Sequence, residues 1–235
     1  MTCRSSQAIA EAFWKSAGGR ARFGCPPEIE RAAARILPVA VHRVRGLHTG
    51  MITELLARMR ANPWFDGSPR MLRGCLIADV GRALILVDED DPEDEQRMTV
   101  AHELSHLLLH YFKPREEALT AFGAGIIAVL NRTRPPTLGE RLSSVLRDVP
   151  IEPFRHAMDR AGVHHARAVS AMEDEADDLA VELLAPWREL RTLRSAAPGT
   201  LREKFGLPAP VAARLAGMMK APGTTSGVLD LFRQK

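Results

Sequence analysis

The chain has 235 residues, 46% of them hydrophobic, and a formal net charge of +3. A chain of this length can bury a sizeable hydrophobic core. The small net charge gives no reason by itself to expect a nucleic-acid partner. Cys3, Cys25 and Cys75 are too few and too far apart to suggest a disulfide framework or a thiolate zinc site. No apolar run approaches the length of a membrane span, and the N-terminus shows no apolar signal region. We therefore expect a cytoplasmic protein with no membrane partner.

The first ninety residues show the patterns of short helices and a small sheet. We expect residues 1–27 to form an N-terminal arm, loosely attached, with one short helix that ends near Gly18. Alternating apolar residues predict strands, and Gly81-Arg82 predicts the turn of a hairpin. The predicted elements after the arm are a helix over 28–37, a strand over 38–44, a helix over 49–60 and a hairpin of strands 72–80 and 83–87.

The next helix carries the most specific motif of the chain, His102-Glu103-Leu104-Ser105-His106. Asp91 is a suitable N-cap, Pro92 suits the first helical position, and Lys113-Pro114 is expected to end the helix. Residues four apart lie one turn above each other, so both imidazoles can reach one metal ion while Glu103 addresses a water molecule bound to it. This is the geometry of a zinc hydrolase.

Two histidines leave a catalytic zinc ion short of one protein ligand, since such sites take three and often use His₂Glu. Phe112 occupies the position where a metzincin has its third histidine, and His110 is expected to lie too far along the helix. Acids crowd at the start of a helix predicted over 168–185, which by itself is typical of a solvated helix start. The candidates for the third ligand are Glu173, Glu175, Asp177 and Asp178.

After Pro114 the sequence predicts an almost wholly helical region. The predicted helices span 115–130, 138–147, 151–161 and 168–185. His156, His164 and His165 fall here, and each alone is more typical of a surface or hydrogen-bonded histidine than of a ligand. The pair His164-His165 keeps one functional interpretation, because a donor that stabilises the oxyanion assists hydrolysis at zinc.

The basic part of the chain is its tail, where residues 186–235 hold nine Lys or Arg against three Asp or Glu. Residues 201–219 have the spacing of a helix-turn-helix, with one helix ending at Phe205-Gly206 and the next starting at Pro210. A helical hairpin packed on the catalytic domain is the favoured interpretation, because two-helix units are common and the charge excess is modest. Direct nucleic-acid contact by the tail is the less favoured one.

Two segments together resemble the ImmA/IrrE family of metallopeptidases. Residues 99–110, Thr-Val-Ala-His-Glu-Leu-Ser-His-Leu-Leu-Leu-His, are similar to the family's T-x-A-H-E-L-G-H-x-L-L-H segment, with Ser105 in place of Gly. Residues 173–186 are similar to its E-x-E-A-N-x-F-A-x-x-L-L-M-P segment, with Asp177 in place of Asn. The order of the other predicted elements also fits, so the resemblance extends over residues 28–219.

The resemblance implies a fold and a set of site residues. The fold is a small, mostly helical α+β zincin-like fold with a small sheet packed beside the motif helix. One Zn²⁺ per chain is held by His102, His106 and Glu175, and Glu103 acts as the base. Asp178, one turn beyond Glu175, is a candidate for accepting a proton from a ligand imidazole.

The predicted organisation is an arm over 1–27, a zincin-like metallopeptidase domain over 28–187 with a helical insertion at 113–171, and a helical tail over 188–235. We expect a zinc endopeptidase. ImmA/IrrE proteins are associated with cutting helix-turn-helix repressors under stress or in mobile elements, which implies a DNA-binding repressor as the protein substrate. The alternative is a regulatory module that only binds a protein or DNA partner. The 72–87 hairpin either offers an edge to an extended substrate or is purely structural.

Overall fold

A four-stranded mixed sheet lies at the centre of the protein. The computed structural model describes residues 3–62, 64–65, 68–146, 154–160, 167–193 and 197–220. The strands are β1 (Val39–Val44), β2 (Leu72–Asp79), β3 (Arg82–Asp88) and β4 (Phe154–Asp159), and their order is β1-β3-β2-β4. β3 pairs with β1 in parallel and with β2 antiparallel, and β2 pairs with β4 antiparallel. The predicted hairpin is confirmed, but it occupies the middle of the sheet and has no free edge for a substrate.

Helices cover both faces of the sheet. They are α1 (Cys3–Ala17), α2 (Ile29–Ile36), α3 (Thr49–Arg58), α4 (Glu93–His106), α5 (Lys113–Phe122), α6 (Ile126–Leu130), α7 (Leu138–Leu146), α8 (Arg167–Leu184), α9 (Trp187–Leu190), α10 (Pro198–Phe205) and α11 (Ala209–Lys220). Successive strand residues face opposite sides, so Leu76 shares a core with Leu104 of α4 whereas Cys75 shares another with Ile52 of α3. The predicted α+β zincin-like fold is confirmed. No helix in the described part of the chain is long and apolar enough to cross a membrane.

α4 opens with the acids Glu93–Glu95, which favour the positive end of the helix dipole. Pro92 is its N-cap, one position before the place predicted for it. Asp91, the predicted N-cap, instead directs Oδ1 to Arg160 at 2.8 Å. Gln96 stabilises the start of the helix, because its Nε2 donates to the carbonyl oxygen of Asp91 at 2.7 Å.

The helical path does not end at Lys113-Pro114, where the sequence predicted a stop. Residues Leu107–Phe112 form a π-helical turn that leads directly into α5. Pro114 lies in the first turn of α5, directly after this π-helical turn. The path ends instead at Gly123, whose φ of 74° is in the left-handed region that favours glycine.

Residues 154–159 form an edge strand, although the sequence predicted a helix over 151–161. β4 is held by its pairing with β2, in which His156 stands opposite Leu76. The segment Phe-Arg-His-Ala-Met-Asp has no β-branched residue, so its residue types gave only a weak strand signal. Strand formation depends strongly on context, and the pairing with β2 decides it here.

The N-terminal helix belongs to the main core, so the expectation of a loosely attached arm is wrong. Phe13, Trp14 and Ala17 of α1 are buried in the core that contains α8. The indole nitrogen of Trp14 donates to the carbonyl oxygen of Leu183 at 3.0 Å. These contacts involve residues far apart in the chain, which a short helical pattern cannot reveal.

The described part of the tail also packs into the main core. Phe205 of α10 and Leu215 of α11 are buried there. Arg97 of α4 donates to the carbonyl oxygen of Gly206 at 3.2 Å, at the turn between the two tail helices. The two described tail helices thus pack as a hairpin against the main core. Residues 221–235 lie outside the described residues.

Phe205→Ala is expected to lower the free energy of unfolding by about 3–5 kcal/mol, because it removes a buried ring and leaves a cavity. The matched control is Leu138→Ala on α7, whose side chain is 83% exposed, and which should change stability by less than about 0.5 kcal/mol. Urea denaturation followed by circular dichroism measures both. Equal, small effects would contradict a core position for α10.

Candidate metal and catalytic site

α4 presents two buried imidazoles one turn apart. His102 is 3% exposed and His106 is fully buried. Their Nε2 atoms are 3.0 Å apart, as the four-residue spacing predicts. The rings meet edge to face, with centroids 4.7 Å apart. The two nitrogens therefore converge on one point.

α8 packs against α4 and brings two carboxylates to these rings. Glu173 and Asp177 are four residues apart and share a helix face. Glu173 places Oε2 3.3 Å from Nε2 of His102 and Oε1 3.6 Å from Nε2 of His106. Asp177 Oδ1 lies 2.9 Å from Nδ1 of His102. A carboxylate that accepts from Nδ1 fixes the tautomer that leaves Nε2 free to bind a metal ion.

The converging donors suit a zinc ion. Ligands about 2.0–2.1 Å from a tetrahedral zinc lie roughly 3.3 Å from one another, and the distances among the two Nε2 atoms and the Glu173 carboxylate are 3.0, 3.3 and 3.6 Å. In the described residues, the possible ligand atoms of His102, His106, His156 and Glu173 all lie within 4.8 Å of one another. Two imidazoles and one carboxylate are a common donor set of catalytic zinc.

The charges around this cluster favour a cation. Burial alone would lower the pKa of His102, but hydrogen bonds with Asp177 and Glu173 outweigh it and raise the pKa to about 10. At His106 burial dominates and lowers the pKa to about 3. Burial would raise the pKa of Glu173, yet its hydrogen bonds with the neighbouring imidazoles hold that pKa far below its usual range. An ionised carboxylate at this place attracts a metal ion to the same donors.

Glu103 is a fully buried acid beside the cluster. Its Oε2 lies 2.9 Å from Nδ1 of His156, and its Oε1 is buried without a hydrogen-bond partner in the described residues. Burial would raise the pKa of Glu103, but the neighbouring histidines, His156 foremost, hold it below its usual value. An ionised carboxylate with one unpartnered oxygen can accept a proton from water.

Gly74 of β2 lies against the Glu103 carboxylate, and its lack of a side chain leaves room for that carboxylate. A Cβ atom at position 74 would collide with Cγ2 of Thr99 and lie 3.2 Å from Oε1 of Glu103. Both neighbours are buried side chains of α4 with little room to move. The strand and the helix can approach closely here because residue 74 has no side chain.

His156 is the site residue that the sequence analysis missed. From β4 it places Nδ1 2.9 Å from Glu103 and Nε2 3.0 Å from Oε1 of Glu173. The predicted helix over 151–161 concealed its position. The available signal was the alternation of Phe154, His156 and Met158, which a strand turns to one face.

The structure places Glu173 in the cluster, whereas the resemblance implied Glu175. Residues two apart on a helix point about 200° away from each other. Glu175 lies beside His110, with Oε2 3.8 Å from Nε2. His110 in turn contacts the second histidine of the motif, with its Nδ1 2.9 Å from Nδ1 of His106. The arrangement of the described residues therefore favours Glu173 over Glu175 as the third donor, and His110 lies outside the cluster.

Asp178 was expected to accept a proton from a ligand imidazole. In the structure Asp177 is the acid that contacts the imidazole of His102. Asp178 is buried nearby, and burial together with the charge of Asp177 raises its pKa to about 6. His164 and His165, the expected oxyanion donors, lie outside the described residues.

Residues 67–127 match the family model described as Peptidase_M78, the IrrE N-terminal-like domain. The match takes in the β2–β3 hairpin and the whole of α4, and it confirms the resemblance to the ImmA/IrrE family. It ends before β4 and α8, so His156 and Glu173 fall outside it. A search of the curated proteins finds no match.

Glu173→Gln is expected to weaken zinc binding by more than about 100-fold, beyond the roughly 10–100-fold typical of residues that only orient a ligand. Glu175→Gln is the matched control, two residues along the same helix, and should keep one zinc ion per chain. Metal content after dialysis and competition with a chelator measure both. Loss of zinc from the Glu175 variant alone would restore the register implied by the resemblance.

Proposed function

We propose that this protein, whose residues 67–127 match the IrrE N-terminal-like peptidase family, is a zinc-dependent endopeptidase that hydrolyses a peptide bond in a protein substrate. One observation carries the proposal. The buried Glu103 carboxylate stands beside two imidazoles and a further carboxylate that are spaced as zinc ligands. A site that only held a metal would gain nothing from this additional buried charge, because burying a charge costs free energy.

Each site residue has a role in this reaction. When bound, zinc polarises the peptide carbonyl group and lowers the pKa of a water molecule towards neutrality. His102, His106 and Glu173 hold the ion, and Asp177 orients the ring of His102 through Nδ1. Glu103 takes the proton of the attacking water on its carboxylate and delivers it to the leaving amine nitrogen.

β4 is the strand best placed to bind the substrate. It pairs with β2 along one edge, and within the described residues no strand pairs with its other edge. The backbone groups of a free edge bind an extended peptide with little regard to its side chains. Because His156 of β4 contacts Glu103, a peptide bound along this edge passes close to the base.

Glu103→Gln is expected to keep the fold and one zinc ion per chain while it lowers the rate of peptide hydrolysis by about 10²–10⁴, because the amide keeps the size but cannot accept the proton. The matched control is Glu93→Gln at the exposed start of the same helix, which should retain activity. Cleavage followed by mass spectrometry and metal analysis measure both. Hydrolysis at the wild-type rate by the Glu103 variant would leave a binding module as the better reading.

We further propose that the enzyme cuts one specific protein, and from the resemblance alone we infer a helix-turn-helix repressor. A selective peptidase needs docking contacts away from the cleaved bond. A groove beside β4 suits that role: its described lining contains Trp64, Arg132, Arg141 and Arg155 but no carboxylate. Leu138 of the adjoining α7 is exposed. An acidic segment of the substrate with apolar side chains fits these features.

Purified zinc-loaded enzyme is expected to cut casein slowly or not at all and to cut a helix-turn-helix repressor encoded beside its gene at a single site. Arg141→Glu should raise KM for the repressor with kcat unchanged, because it reverses a charge in the groove. This substitution is a better probe than removal of residues 188–235, since α10 and α11 carry core residues. Broad digestion of casein would contradict the proposal that the enzyme cuts one specific protein, whereas the proposal of a zinc peptidase would stand.

A further inference from the structure

His156 connects two acids of the site that come from different helices. Its Nδ1 lies 2.9 Å from Oε2 of Glu103 on α4, and its Nε2 lies 3.0 Å from Oε1 of Glu173 on α8. The side chain is only 12% exposed, and its ring stacks on that of His106 with centroids 3.8 Å apart. Both nitrogens and one face of the ring are thus used within the site.

We propose that His156 is a positioning residue that holds the base and the third zinc ligand in register with each other. The inference rests on the proposed function and adds to it a residue outside both family motifs. Neither carboxylate is fixed by its own helix alone, because a glutamate side chain has several rotatable bonds. One ring that bonds both of them sets the distance between the acid that moves the proton and the acid that holds the metal.

The geometry argues against His156 as a fourth zinc ligand. Nδ1 of His156 contacts Glu103, the acid proposed as the base, and Nε2 contacts Glu173, so the ring lies between the two acids. A fourth protein ligand would close the coordination sphere, as in structural zinc sites, and leave no position for water. The positioning role keeps that position open.

The sheet makes His156 a rigid support. Its backbone is registered against Leu76 of β2, and its neighbours Arg155 and Ala157 pair with Ile77 and Cys75. Phe154, on the same face of β4, stacks near His106 with centroids 6.0 Å apart. Groups built on strands hold catalytic side chains more precisely than groups on loops.

The two nitrogens can be tested separately. An Asn amide nitrogen occupies about the place of the imidazole Nδ1, and a Gln amide nitrogen about the place of Nε2. His156→Asn therefore keeps the bond to Glu103 and loses the bond to Glu173, and His156→Gln does the reverse. His42→Gln is the matched control, because it makes the same substitution at an exposed histidine of β1, the strand at the other edge of the sheet from β4.

Zinc affinity and steady-state kinetics at saturating zinc separate the two roles. His156→Gln is expected to lower kcat by about 10²-fold with KM and zinc affinity unchanged, as for a displaced catalytic group. His156→Asn is expected to weaken zinc binding by about 10–100-fold with kcat kept within about tenfold. The control should match the wild type in both. Unchanged kcat and zinc affinity in both variants would overturn the proposal, and so would complete loss of zinc from both, which marks a ligand.

A readout without catalysis keeps this inference distinct from the proposed function. Nitrogen NMR of the zinc-loaded protein, with His156 assigned by its absence from His156→Asn, is expected to show a protonated Nδ1 whose shift changes in Glu103→Gln. If the wild type cleaves no substrate, the proposed function fails while this spectrum and the zinc affinities still decide the role of His156. A Nδ1 without a proton overturns the positioning role even if the enzyme is active.

Discussion

The packing of α8 against α4 is the contact on which the site depends. α4 supplies the imidazoles of His102 and His106 and the carboxylate of Glu103, and α8 adds the carboxylates of Glu173 and Asp177. Small residues accompany the contact: Ala101 and Ala180 are fully buried, and small side chains allow helix axes to approach. Because these helices meet along faces that also carry ionisable groups, packing and the electrostatics of the site cannot be varied separately.

The sheet supports this helix pair from the other side. β2 contributes Gly74, where any side chain would press on Thr99 and on the Glu103 carboxylate. β4 contributes His156, which reaches the other oxygen of the same carboxylate. The Glu103 carboxylate therefore lies between Gly74, which has no side chain, and the side chain of His156. The position of His156 depends on the β2–β4 pairing, so the edge strand helps to place a side chain beside Glu103.

The sequence predicted those features that local spacing determines. The hairpin, α4 and α8 follow from short-range periodicity, and His102 with His106 follows from a four-residue spacing. The sequence analysis failed where contacts with residues far away in the chain determine the structure. β4 forms a strand through its pairing with β2, and α1 is held to the core partly by the hydrogen bond from Trp14 to Leu183. The sequence does not determine which acid is the third ligand, because motif similarity gives no rotation of α8 about its axis, and that rotation decides whether Glu173 or Glu175 faces α4.

The separation of the ligands along the chain bears on how the protein is made. His102, Glu103 and His106 emerge from the ribosome long before Glu173, and the core residues of α10 and α11 emerge later still. Domains are synthesised from the N-terminus, so a nascent chain has the motif but not the complete donor set. The donor set is therefore complete only after α8 has been synthesised and has packed against α4. A translation product that stops before α8 carries His102, Glu103 and His106 without the carboxylates of Glu173 and Asp177.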